Sequence, residues 1–382
     1  MEILLILGAF QAIFFVVLLL SKKGKTVSDK ILALWLSIFA IHLAFVYYSF
    51  QLGHVFYIKY GFILSGVIVL YYSLMYVYTQ SLVSKEQSFK PKWLLHLLPT
   101  VIVYGFIIPL AILPYETKVD IGVHPSADVY STVVFGIVIA FVTGYIVLIL
   151  KLLNKHKVTI RNIFSYEENI NLIWLKILAF LLIVLWVIIS VLIVYFYYLD
   201  ASQSTMLPED IMILDMKGQS AFVAFVFFLS FFGIKQQIIY SHPSKEEKDL
   251  EEGPKNNSIS RYEKSSLKKE DSVIYLKRLL EYMEREKPYL NGKLLLKELA
   301  DELNISTNHL SQVINENLGK NFFDFVNAYR VDLVKQKMID PSNKKFTIIS
   351  LAYECGFNSK SSFNSIFKKH TGLTPSEFSK QE

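Results

Sequence analysis

Long apolar runs organise the first 240 residues of the chain, and short amphipathic periods organise the remainder. Seven stretches, at about 3–20, 31–50, 58–79, 93–113, 129–152, 171–199 and 219–240, each approach the ~20 mostly apolar residues that a membrane-crossing helix needs. Almost no charge interrupts them, so helices built from them have no polar face to show to water. The pattern predicts seven transmembrane helices rather than the core helices of a soluble protein. The sixth run is long for a bilayer and is expected to tilt or project from it.

The connecting loops alternate in charge. One set carries Lys22, Lys23, Lys25 and Lys30, then Lys85, Lys90 and Lys92, then Lys151, Lys155, Lys157 and Arg161. The other set is acidic, with Glu116, Asp120, Asp128, Asp200, Glu209, Asp210 and Asp215, and its basic residues are Lys118 with Lys59 and Lys217 at helix edges. Basic loops remain in the cytoplasm. The N-terminus is therefore expected outside and, after seven crossings, the C-terminus inside, in a bacterial cytoplasmic membrane. Glu2 precedes the first run and the lysines follow it, which is the reverse of a cleaved signal peptide.

Few polar residues fall at membrane depth: Gln11, His42, Gln80, His96 and Lys176. His42 lies nearest the middle of a span and is expected to be a neutral imidazole bonded to a neighbouring helix. Lys176 is close enough to an end to snorkel. Pro99 and Pro109 are positioned to kink the fourth segment, and the Tyr195–Tyr198 aromatic run suits an interfacial belt. The bundle contains no zinc-protease pair, phosphate-binding glycine loop, nucleophile elbow or carboxylate cluster. No enzymatic activity, cofactor or metal is expected. Its single cysteine, Cys355, excludes a disulfide framework and reads as a buried core thiol. The net charge of +6 over 382 residues is too small to imply a partner by itself.

Residues 241–270 are polar and mixed in charge, and they read as a cytoplasmic linker. Helical periodicity then returns. Residues 271–286 predict an amphipathic helix with Asp271 as N-cap and a stripe of Val273, Leu276, Leu280 and Met283, ended by Pro288 and Gly292. Two similar units follow, Lys297–Gly319 and Ile349–Gly372. Ala300 corresponds to Ala352, Leu303 to Cys355, Asn304 to Gly356 and Ile305 to Phe357. After one inserted residue, Leu310, Ile314 and Gly319 correspond to Phe363, Phe367 and Gly372. Each unit reads as a short helix, a turn whose Asn or Gly tolerates left-handed backbone, and a second helix capped by Ser306/Thr307 or Asn358/Ser359. That is a helix-turn-helix, duplicated. Between the units, about Asn321 to Ile339, a further helix is expected, with Phe322, Phe325, Val326, Tyr329 and Leu333 as its buried stripe and Asp340-Pro341 as its stop. At 1.5 Å per residue it would be roughly 28 Å long, against ~34 Å between successive major-groove faces.

Residues 271–382 resemble the DNA-binding domain of the AraC (arabinose-regulator) family of bacterial transcription factors. Ala352, Gly356-Phe357, Phe363, Phe367-Lys368, Gly372 and Pro375 carry the resemblance; the first unit is looser, with Asn315 and Glu316 where Lys or Arg often sits. The resemblance implies two helix-turn-helix units binding promoter DNA, and it carries over no ligand, because the usual soluble sensor is missing. On the first recognition helix the outward positions are Asn308, Ser311 and Gln312. On the second they are Ser361, Asn364 and Ser365, with Lys360 and Ser362 beside them. Asn and Gln can read adenine, Ser reads less specifically, and Lys368 and Lys369 are candidate phosphate contacts. The window 355–376 contains no acid.

The expected fold is thus all-α: a seven-helix transmembrane sensor bundle at 1–240, a linker at 241–270, and a double helix-turn-helix domain at 271–382. The expected function is that of a membrane-embedded one-component transcription regulator. Its expected partners are double-stranded promoter DNA, the lipid bilayer, RNA polymerase, a second copy in a homodimer, and a signal ligand or partner protein. A transporter or receptor with a regulatory helical tail is the alternative. A protein using its helical domain as a docking surface is a third class.

Overall fold

The computed structural model describes residues 2–84, 88–118, 129–168, 170–201, 208–235, 267 and 269–381. Most of the polar linker, and the loop positions Lys85, Asp120 and Asp128, lie outside the described residues. Among the described residues the fold is all-helical, with one isolated antiparallel β-bridge, Phe164 with Leu295. Two compact units form. One comprises Met1–Asn154 and Leu172–Ile239; the other comprises Lys155–Asn171 and Tyr240–Glu382. The second unit therefore takes in a piece of chain between the fifth and sixth apolar segments that the hydrophobic pattern alone would leave with the bundle.

The first unit is built from α1 (Glu2–Ser21), α2 (Val27–Leu52), α3 (His54–Ser65), α4 (Val67–Val83), α5 (Leu98–Ala111), most of α6 (Val129–Ile163), α7 (Ile173–Ala201) and α8 (Pro208–Lys235). The described residues of each predicted apolar segment fall largely on helix. The third is interrupted at Gly66, where a side chain would meet Tyr104 and Ile107 at 2.9 and 3.0 Å. The fourth opens with a 3-10 stretch, Pro91–Leu97, and carries Pro109 inside α5. Among the described residues five helices are long and apolar enough to cross a membrane: Glu2–Ser21, Val27–Leu52, Pro91–Ala111, Thr132–Ile163 and Lys217–Lys235. Val67–Val83 and Ile173–Ile188 are apolar but shorter.

The centre of this unit is aromatic. Trp35 and Phe39 of α2 pack with Tyr71 and Tyr78 of α4 and with Phe222 and Phe225 of α8. Phe39 stacks on Tyr71 at 4.0 Å between ring centroids. His42 makes the expected bond to a neighbouring helix, from its Nδ1 to the Tyr71 hydroxyl. The outer faces are apolar as well. Ile3, Phe10 and Val17 repeat along α1 at 57–72% exposure. Exposed apolar side chains also run along α7, including Ile177, Val184 and Val191. A water-soluble protein rarely presents so much contiguous apolar surface.

The second unit contains α9 (Lys269–Glu286), α10 (Leu296–Glu302), α11 (Thr307–Leu318), α12 (Phe322–Ile339), α13 (Ile348–Glu354), α14 (Lys360–Thr371) and α15 (Pro375–Gln381). Helix α12 is its beam. Phe322, Phe325 and Val326 join a cluster with α9, α10 and α11. Phe323, Val331 and Val334 join a second cluster with α13 and α14. The single stripe expected on this helix is therefore two faces, one for each neighbouring helix pair.

Helix α9 also departs from expectation. It begins at Lys269, which puts Asp271 inside the first turn rather than at the cap. Val273 is 62% exposed, and the buried side is formed by Ser272, Leu279 and Met283 with Tyr275 and Leu276 half-buried. The stripe is rotated because Ser272 faces α11, accepting a hydrogen bond from Asn317 Nδ2 at 2.8 Å.

Two left-handed glycines punctuate the second helix pair: Gly356 at φ 90 and Gly372 at φ 79. A Cβ at Gly372 would meet nothing within 4 Å, whereas one at Gly356 would stand 2.4 Å from the Tyr289 carbonyl oxygen. Gly372→Ala should cost about 1 kcal/mol, the left-handed penalty alone. Gly356→Ala should cost about 3 kcal/mol, since the turn must also move backbone. Thermal denaturation of the purified protein, followed by proteolysis of its C-terminal unit, should separate the two. Burial pushes the Cys355 thiol up to about 11, so it is neutral at pH 7. Iodoacetamide at pH 7.5 should label it only after unfolding, at a rate that tracks denaturation measured by mass spectrometry.

Candidate nucleic-acid interface

Both short helix pairs have helix-turn-helix geometry. In the first, α10 ends at Leu303, Asn304 takes φ 52, and Ser306 caps α11 by accepting from the His309 amide at 3.1 Å. In the second, α13 ends at Cys355, Gly356 takes φ 90, and Ser359 caps α14 by accepting from the Ser362 amide at 3.2 Å. The corresponding apolar positions are buried in both: Ala300 and Ala352, Leu310 and Phe363, Ile314 and Phe367. Left-handed Gly319 and Gly372 end the two recognition helices. Small alanines let each pair of helices approach, and the caps satisfy amides that would otherwise have no intrahelical partner.

Residues 299–381 match the Helix-turn-helix domain family. The chain carries an AraC-type helix-turn-helix domain at its C-terminal end. Uncharacterized HTH-type transcriptional regulators of Staphylococcus aureus, in strains COL and N315, are 33% identical over 90 residues, which is 24% of this chain and 12% of each relative. The chain thus spans about an eighth of the length of these curated relatives. A solved structure, of a protein of unknown function from Listeria innocua, is 28% identical with a TM-score of 0.25, aligned over 28% of this chain and 96% of its own.

Within the helix-turn-helix domain, α14 displays what the sequence predicted. Lys360, Ser361, Asn364, Ser365, Lys368 and Lys369 are exposed, and Ser362 is half-buried beside the cap. The helix has no acid in its first turn and carries Lys368, Lys369 and His370 in its last. Lys369 is not free for phosphate, since its Nζ pairs with Asp324 Oδ1 of α12 at 2.6 Å. Lys368 is the cleaner candidate.

The first recognition helix, α11, is poorer in exposed readers. Asn308 is exposed and Ser311 half-buried. Gln312 is only 6% exposed, which overturns its assignment as an outward position. Its Nε2 donates to the Glu316 carboxylate one turn on, at 3.1 Å, so the amide lies along the helix instead of projecting from it. Asn315 likewise turns inward, donating to the Ser311 carbonyl at 2.7 Å. Both positions where basic residues would grip phosphate are thus engaged within the helix or acidic.

Arg330, at the middle of α12, is a residue that sequence reasoning passed over. Its side chain is 1% exposed, and all five of its N–H groups have acceptors. Nε donates to the Tyr289 carbonyl at 2.8 Å; Nη1 to the Ser165 carbonyl at 2.8 Å and to Asn327 Oδ1 at 3.1 Å. Nη2 donates to the Ser165 hydroxyl at 3.0 Å and to the Asn291 carbonyl at 2.8 Å. Burial lowers the guanidinium to about 10, which leaves it charged at neutral pH. A signal was present: Asn327 and Arg330 are polar residues three apart, on a helix otherwise apolar over that stretch. Ser165 carried none. Among the described residues no group of three or more His, Cys, Asp or Glu side chains is placed to hold a metal ion.

These placements separate three kinds of substitution. Asn364→Ala or Ser365→Ala should cost about 1–3 kcal/mol of discrimination between DNA sequences. Lys368→Ala should weaken binding to all sequences and lower the salt slope by about one. Gln312→Ala should change thermal stability more than sequence preference. Competition binding against randomised duplexes at several salt concentrations, with melting curves in parallel, checks all three.

Proposed function

We infer that the protein is a membrane-embedded one-component transcription regulator, with its helical bundle as the sensing part and its C-terminal domain as a sequence-specific reader of promoter DNA. One observation carries the reading. A helix-turn-helix domain with an acid-free, exposed recognition helix occurs on the same chain as five helices apolar enough to cross a membrane. Only a chain oriented with the C-terminus inside can bring such a reader to bacterial DNA, and the basic loops favour that orientation. The named transcriptional regulators among its relatives support the same direction. Promoter DNA is the proposed ligand of α14 and α11, with RNA polymerase as a partner on the promoter. Because α11 offers little grip on phosphate, two domains acting together as a homodimer are proposed for tight binding, through the gain in effective concentration that tethering gives. The polar linker at 241–270 would hold the reader near the bilayer while giving it reach. A signal ligand or partner protein acting on the bundle completes the proposal.

Topology and binding are tested together in cells of the source organism. A cysteine replacing exposed Lys23 should be shielded from a membrane-impermeant maleimide in intact cells, and one replacing exposed Glu116 should react. Buried Cys355 leaves little background. Genomic fragments crosslinked to the full-length protein should share a motif, and their recovery should fall steeply as salt rises. Labelling of both cysteines from outside would overturn the topology. Fragment recovery without a shared motif would favour a transporter or receptor with a helical tail.

A further inference from the structure

The geometry points to an autoinhibitory contact: the segment Phe164–Glu168, from the loop between the fifth and sixth apolar segments, docks on the helix-turn-helix domain and holds the Glu168 carboxylate at the N-terminal end of α14, where DNA would have to enter. The contact lies wholly within the second compact unit. It rests on the regulator reading above and supplies that reading with a switch.

Three features show that the docking is built. Ser165 is 1% exposed and fully engaged. Its amide donates to the Leu294 carbonyl at 3.1 Å. Its carbonyl accepts from Arg330 and also from Asn327 Nδ2 at 3.1 Å, and its hydroxyl accepts from Arg330. Second, Phe164 forms a β-bridge with Leu295, the residue that leads into α10. Third, Arg161 lies over the Phe323 ring of α12 at 5.1 Å and is itself bonded to Glu167. The side chains that receive the segment, Asn327 and Arg330, are buried polar groups whose hydrogen-bonding needs are completed by it.

The segment ends on the reading helix. Glu168 Oε1 accepts from the Ser359 hydroxyl at 3.2 Å, and Ser359 is the cap of α14. The recognition helix of a helix-turn-helix meets DNA through its N-terminal residues. Unpaired amides and the helix dipole make that end attractive to an anion. Residues 355–376 contain no acid of their own, so the carboxylate comes from a distant part of the chain. Glu168 and a DNA phosphate cannot share the position, and a carboxylate there repels the rest of the phosphate backbone. The segment is covalently continuous with α6 on one side and α7 on the other, which is the proposed route by which the apolar half would act on the lock.

The test uses the full-length protein in nanodiscs with genomic DNA fragments as probe. The bridge partners Phe164 and Leu295 are replaced together, F164C with L295C, since paired strand positions lie within disulfide range. Oxidation should form the bond and lower DNA affinity at least about tenfold, and dithiothreitol should restore it. Separately, Glu168→Gln should raise affinity about fivefold at low salt, the scale of one charge at a helix end, and less at high salt. Failure of the disulfide to form overturns the docking. A locked protein that binds DNA as tightly as the reduced one, or E168Q that binds no better than wild type, overturns the inhibition. Both results leave the regulator reading standing. Absence of salt-sensitive DNA binding by wild type and reduced protein alike overturns the regulator reading itself, and the switch with it.

Discussion

A guanidinium taken out of water is tolerated only if each of its five N–H groups finds an acceptor. Arg330 meets that demand with groups from three separate stretches of chain: the turn carrying Tyr289 and Asn291, its own helix at Asn327, and Ser165. Among the described residues no carboxylate bonds to it, although Glu168 lies near enough to favour its charged form. The charge is held by carbonyl and hydroxyl dipoles, and the positions of those three stretches are fixed together. The second reading unit depends on the same group. A side chain at position 356 would stand 3.0 Å from Arg330 Nε as well as against the Tyr289 carbonyl. Glycine is therefore required there twice over, for its left-handed backbone and for the space that the Arg330–Tyr289 bond occupies.

Around that point the C-terminal unit is two half-cores on one beam. Helix α12 gives Phe322, Phe325 and Val326 to one cluster and Phe323, Val331 and Val334 to the other. Neither short helix pair has apolar surface enough to be stable alone, and burying each against a shared helix solves this without a second domain. The duplication is faithful where backbone conformation and helix approach demand it, at the alanines, the left-handed turns, the caps and the closing glycines. It diverges where only surface chemistry is at stake. Lys360 and Lys368 of the second unit have no basic counterparts on α11.

The legible parts of the sequence were those that physics constrains residue by residue. A long uninterrupted apolar run is readable from residue type alone, and the described residues of the predicted segments are largely helical. A left-handed turn and an N-cap admit few residue types, so Asn304 and Gly356 could be placed from type and each cap narrowed to two residues, of which the structure selects Ser306 and Ser359. What failed depended on tertiary partners. On α9, Val273, Ile274, Leu276, Leu279 and Leu280 permit more than one apolar stripe, and contact with α11 selects among them. Gln312 read as outward from its spacing, yet it is buried and its amide reaches forward along the helix to Glu316. Arg330 and Asn327 were passed over, since polar residues are usually at the surface and the acceptors that bury these two lie far off in the chain. The 155–171 segment read only as a basic loop that orients the chain, since one serine and an isolated β-bridge leave no periodic trace.

Charge on the second recognition helix ties these points together. Its own sequence is free of acid, which read alone implies an open, phosphate-seeking surface. The folded unit lends it two carboxylates, Asp324 of α12 on Lys369 and Glu168 on the cap residue Ser359. One pairs with a cation that would otherwise add to the counterion-release term of DNA binding, and the other takes the anion position at the helix end. Asp324 is part of the beam and is a fixed cost. Glu168 stands on a segment held to the beam by hydrogen bonds from Arg330 and Asn327, and that segment is continuous with α6 and α7. Of the two carboxylates, Glu168 is the one the proposed switch would withdraw, with water taking the place of the acceptors that Ser165 gives Arg330, and its withdrawal would restore the surface that the sequence of α14 alone describes.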